Sequence, residues 1–110
     1  MKSTNLGEFE ELVLLTVVAL YDEAYGVGVK EDLENRTGRE VSVGALYSAL
    51  NRLEKKGFIT SKWGESTKER GGKRKRLFNI SSAGKKALIQ ARSIREELWN
   101  LSKSLILNIE

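Results

Sequence analysis

The sequence predicts a mainly α chain with a small β-hairpin, a winged helix-turn-helix extended by a long C-terminal helix. Three observations predict it. Apolar residues recur at helical spacing in three stretches of the first half. Two short alternating segments rich in strand formers follow. The last third repeats apolar residues at spacings of four and three. A length of 110 residues suits a single small core under a charged surface.

Over residues 6–21, Phe9, Val13, Val17 and Leu20 line one face of a first helix, while Leu12, Leu15 and Ala19 add a second apolar side. A helix this apolar needs cover on more than one side. The second cover is either the C-terminal helix of the same chain or that of a partner. Residues 22–25 read as a short turn. Tyr25-Gly26-Val27-Gly28 then opens a second helix, with Val29 and Leu33 on one face. It stops at Asn35-Arg36-Thr37-Gly38, because glycine is favoured just past a helix end. Ser42 is a good N-cap for a third helix that runs to Lys56 and ends at Gly57. At about 100° per residue, Leu46, Leu50 and Leu53 form its apolar stripe, flanked by Val43 and Ala49. Gly44, Ser48, Asn51, Arg52 and Lys55 fall opposite, with Tyr47 at the boundary.

Residues 58–63 and 76–80 alternate apolar and polar and form a β-hairpin. The interval 64–75 is too long for a tight turn and reads as a projecting loop. Ser81 or Ser82 caps the last helix, where Ala87, Ala91, Ile94, Leu98, Leu101, Leu105 and Asn108 recur as a seam of three heptads. A domain this small would leave much of that seam exposed, which points to a dimer interface. The expected organisation is a winged-helix segment over 1–80 and a dimerisation helix over 81–110, in one compact unit.

Charge is distributed unevenly. Residues 1–50 carry four basic and nine acidic side chains, residues 51–86 twelve and three, and residues 87–110 three and three. The net +4 therefore conceals a segment of +9 beside one of −5. Lys68, Arg70, Lys73, Arg74, Lys75 and Arg76 place six cations within nine positions around Gly71-Gly72. Cations on a glycine-hinged loop can follow a phosphate backbone, and each phosphate contact steepens the fall of log affinity with log salt by about 0.9.

The chain has no histidine and no cysteine, so the commonest general base, zinc ligand and thiolate nucleophile are missing. Gly26-x-Gly28 lacks a third glycine at Glu31, and Gly72-Lys73 lacks the earlier glycine of a P-loop, Thr67 standing there. No enzyme, metal or cofactor is expected. The longest apolar stretch, residues 12–20, reaches about half the ~20 residues of a spanning helix. The first residues show no charged-then-apolar leader, so a cytoplasmic location is expected.

A winged helix-turn-helix places its third helix in the major groove of double-stranded DNA. Gly44 and Ser48 are small enough for close approach, Asn51 can pair with adenine, and Arg52 and Lys55 can reach guanine or phosphate. The alternative is a protein interaction module, in which the C-terminal seam binds an unrelated helix and the basic loop binds an acidic surface.

The sequence resembles the PadR family of bacterial transcriptional regulators in its compact form with a single C-terminal helix. The resemblance lies in Leu12-Val13-Leu14-Leu15, in Tyr25-Gly26, and in the run from Ser42 to Leu50. It continues through Arg52-Leu53-Glu54-Lys55-Lys56-Gly57-Phe58-Ile59 and the run from Gly72 to Gly84. It implies a winged-helix homodimer that represses transcription, and the two-fold symmetry of such a dimer implies an inverted-repeat operator. It also implies that Ser42, Gly44 and Tyr47 lie near DNA and that Lys73, Arg74, Lys75 and Arg76 meet phosphate. Ala45 and Ser48 stand where the family commonly has threonine and proline, so the base preference is this chain's own. In some similar compact regulators an aromatic on the last helix lines a cleft between protomers that accepts flat apolar molecules. That makes Trp99 a ligand candidate and a small aromatic effector a candidate partner, with packing at the dimer interface as the alternative use of this residue.

Overall fold

A computed structural model describes residues 6–64 and 75–108. In chain order it contains α1 (Glu8–Leu20), a 3-10 turn (Tyr21–Glu23), α2 (Gly26–Thr37), α3 (Val43–Lys55), β1 (Ile59–Trp63), β2 (Arg76–Ile80) and α4 (Ser82–Leu107). The mainly α fold with one antiparallel hairpin is the one expected, and its ends fall at the expected local signals. Gly38 takes φ +71° after α2 and Gly57 takes φ +80° after α3, left-handed conformations that glycine adopts without steric cost. Ser42 and Ser81 cap α3 and α4 through their hydroxyls, which accept from Ala45 N–H and Gly84 N–H at 3.0 Å. Of the two serines open as caps for the last helix, Ser81 is the one used.

The core is a three-helix cluster closed by the hairpin. Val13, Leu14 and Val17 of α1 meet Val29 and Leu33 of α2 and Leu46, Ala49, Leu50 and Leu53 of α3, with Ile59 and Phe78 entering from the sheet. The register pairs Ile59 with Ile80, Ser61 with Phe78 and Trp63 with Arg76, so these six residues share one face of the hairpin. Three details differ from the sequence reading. In α1 it is Leu14 that is fully buried, whereas Phe9 and Leu20 are half-buried and Leu15 and Ala19 exposed. Val43 is exposed rather than flanking the core stripe. The turn after α1 also becomes part of the sheet: Tyr25 bridges Leu77, and Phe78 N–H donates to the Ala24 carbonyl at 2.9 Å.

α4 enters the core only at its start. A Cβ on Gly84 would lie 2.2 Å from the Phe58 carbonyl oxygen, so glycine is what lets the helix approach the α3–β1 turn. Ala87 is buried and Leu88 packs against the core, but Ile94, Leu98, Leu101 and Leu105 project from the rest of the helix. No helix among the described residues is long and apolar enough to cross a membrane.

Candidate nucleic-acid interface

α3 buries its whole leucine stripe and turns Ser42, Gly44, Ser48, Asn51, Arg52 and Lys55 to solvent. A Cβ on Gly44 would meet nothing within 4 Å, so packing inside the chain does not require glycine there. Tyr47 is half-buried. Its hydroxyl lies against the start of α2, where a Cβ on Gly26 would come within 2.0 Å of Oη. Gly26 and Tyr47 thus seat α3 against α2, and one edge of the tyrosine remains at the surface.

Two of the expected phosphate ligands have carboxylate partners in the chain itself. Arg52 Nε donates to Glu10 Oε2 at 3.0 Å, and Lys56 Nζ donates to Glu10 Oε1 at 2.8 Å. Glu10 is nearly buried and also accepts from Gly7 N–H at 2.8 Å, so one carboxylate caps α1 and ties down the C-terminal turn of α3. Arg76 points inward from β2. Its guanidinium donates to Glu54 Oε1 and to Ser61 Oγ, while Ser61 Oγ donates to Glu54 Oε2 at 2.8 Å. The same guanidinium lies 5.2 Å from the Phe78 ring centroid and 5.8 Å from that of Trp63. The Arg76 pairing follows from the packing: the hairpin face that meets α3 carries Arg76, and α3 presents Glu54 to it. Lys75 is exposed, with its ammonium 5.1 Å from the Tyr25 ring centroid. Lys73 and Arg74 lie outside the described residues.

The seam residues of α4 run from buried to fully displayed. Ala87 is 2% exposed and Ala91 half-buried, whereas Ile94, Leu98, Leu101 and Leu105 are 51–84% exposed. Trp99 lines a groove of about 530 Å³ between α1 and α4, floored by Leu15 and Leu88 and rimmed by Glu11, Arg92 and Arg95. Arg95 Nη2 donates to Glu11 Oε1 across it at 2.9 Å. Among the described residues no group of three or more acidic, histidine or cysteine side chains could hold a metal ion.

Residues 14–90 match the transcriptional regulator PadR-like family. The chain belongs to the PadR-like family. It is 34% identical over 77 residues to the transcriptional regulator Rv3488 of Mycobacterium tuberculosis, covering 70% of this chain and 67% of that protein. A PadR family transcription regulator from Clostridium difficile superposes with TM-score 0.60 and 27% identity, over 86% of this chain and 93% of that one. One from Eggerthella lenta superposes with TM-score 0.70 and 24% identity, over 93% and 88%. This PadR-like chain is therefore a DNA-binding regulator of transcription and not an enzyme.

Sequence reasoning missed the two carboxylates that organise the regulator's basic face, Glu10 and Glu54. Glu10 stands three residues after Gly7 at the start of a helix, a capping spacing that could have marked it. Glu54 carries no comparable local signal. Burial pushes the Glu10 carboxyl up, but bonds from Lys56, Gly7 N–H and Arg52 outweigh this and hold it below its ordinary value of 4.5. A carboxyl lowered in the folded state contributes stability above its unfolded pKa and loses it as pH falls through the folded value. Glu10→Gln is expected to cost about 1–2 kcal/mol at pH 7, a figure reduced by the exposure of Arg52 and Lys56. In urea melts that difference from wild type should be constant from pH 7 to about 5 and shrink below about 4.5. A difference that persists undiminished in acid would contradict the assignment.

Proposed function

We propose that this PadR-like regulator is a homodimeric repressor that sets two α3 helices into half-sites of an inverted-repeat operator. The observation that carries this reading is the outer face of α3. Leu46, Ala49, Leu50 and Leu53 are turned inward, leaving Ser42, Gly44, Ser48, Asn51 and Lys55 as a surface of small, polar and cationic groups. That composition suits close approach to base edges, with Tyr47 at the margin and Lys75 available to phosphate. Lys73 and Arg74 extend the same cationic run in the sequence. The second copy supplies what a single chain lacks, a cover for Ile94, Leu98, Leu101 and Leu105. Two-fold symmetry then makes the half-sites an inverted repeat, and a centre-to-centre spacing of about one helical turn, roughly 34–36 Å, is the separation expected.

The deciding experiment is selection of bound duplexes from a random pool by the purified protein at physiological salt. An enriched inverted repeat is the expected result. Binding at low salt with no enriched motif would overturn the reading in favour of a general polyanion surface. The groove at Trp99 suits a flat apolar effector that releases the operator. An uncharged polycyclic aromatic should quench tryptophan fluorescence in wild type and fail to do so in Trp99→Phe. Quenching that survives the substitution would place the ligand at Trp63.

A further inference from the structure

We infer that Arg76 and Glu54 are positioning residues for DNA binding, fixing the hairpin stem against α3 rather than contacting phosphate. The inference rests on the DNA-binding reading of α3 above. The three groups involved come from three elements: Glu54 from α3, Ser61 from β1 and Arg76 from β2. Each is bonded to the other two, so the carboxylate, the hydroxyl and the guanidinium close a ring of hydrogen bonds. Glu54 and Arg76 side chains are only 35% and 26% exposed, which limits the competition from water. The guanidinium is further confined by the Phe78 and Trp63 rings, which lie on the same face of the hairpin. A cation held by a carboxylate, a hydroxyl and two rings is not oriented for an external phosphate. It is oriented to hold the stem at one angle to α3. Gly64 N–H donates to the Lys75 carbonyl at 2.6 Å and continues the stem in the same register.

The two roles predict opposite signs for one substitution. Glu54→Gln removes a negative charge from the DNA-facing helix and releases Arg76. If Arg76 were a phosphate ligand, operator affinity would rise or stay the same. If the network positions the stem, affinity falls despite the more favourable net charge. The experiment measures anisotropy of a labelled duplex from the selection above with wild type, Glu54→Gln, Arg76→Gln and the double variant. Each single variant is expected to lose about tenfold, and the double variant no more than either single, because residues of one network are not additive. Glu54→Asp and Arg76→Lys should restore part of the loss.

A readout in the free protein accompanies this. In a Trp99→Phe background, Glu54→Gln is expected to shift Trp63 emission, since Arg76 no longer stays beside the indole. Far-UV circular dichroism of each variant confirms that the helices are intact. Should Glu54→Gln fail to fold, Ser61→Ala removes the bridging hydroxyl alone and is expected to lower affinity in the same direction by a smaller factor. Unchanged or tighter binding by the folded variants, or additive losses in the double variant, would overturn the inference. A wild-type selection without an enriched duplex would instead sink the reading on which it rests.

Discussion

Carboxylates placed at both Leu98 and Leu101 are expected to convert the proposed dimer into a monomer and to lower its affinity for an inverted-repeat duplex by about 10²–10⁴-fold. The argument starts from exposure. Leu98 is 59% and Leu101 74% exposed in the chain alone, so substituting them removes little packing from the fold. Exposed apolar side chains repeated at spacings of four and three form the knobs of a helix–helix seam. A glutamate pair there would have to be desolvated against a second apolar helix, whereas in the monomer it remains hydrated. DNA binding suffers through mass action, because two linked half-site readers gain effective concentration that a single reader lacks. Sedimentation velocity and anisotropy check the two halves of this expectation. A double variant that stays dimeric would place the interface elsewhere. A monomer with undiminished affinity would remove the link between dimer and operator.

Phe78→Ala is expected to cost about 3–5 kcal/mol, the range for truncating a buried aromatic side chain. Phe78 is fully buried and is the largest such side chain in the core. It closes the open end of the three-helix cluster, and its own N–H ties β2 to the turn after α1 through the Ala24 carbonyl. The backbone bond survives truncation, but the void beneath it does not refill, because the surrounding leucines belong to three separate helices. For a domain of this size the loss corresponds to a fall in Tm of more than about 12 °C. Thermal melts should show Thr60→Ala, on the opposite and exposed face of the hairpin, within about 0.5 kcal/mol of wild type. A loss below about 1 kcal/mol for Phe78→Ala would mean that the sheet is not what seals the core.

Much of the fold was legible in the sequence because its signals are local. Gly38, Gly57, Ser42 and Ser81 act on backbone groups within a few residues, so their positions alone mark helix ends. The amphipathic α3 declared both its buried leucines and its outer face by periodicity. α1 did not, since residues 12–20 are apolar on nearly every side and no period separates Leu14 from Leu15. Only packing against α2 and α3 made that choice.

The candidate interface divides in the same way. Which cations lie near α3 was readable from the sequence, and so were the small residues that allow close approach. Whether a cation is offered outward or held inward was not. Arg52 and Lys56 meet Glu10 from 42 and 46 residues away, and Arg76 meets Glu54 across 22. The sequence by itself thus determined the elements, their ends and the face of α3 that meets solvent. The tertiary structure alone decided the ion-pair partners and the docking of α4 at Gly84, because a charge selects its partner by distance in space and burial, and neither is encoded in spacing along the chain.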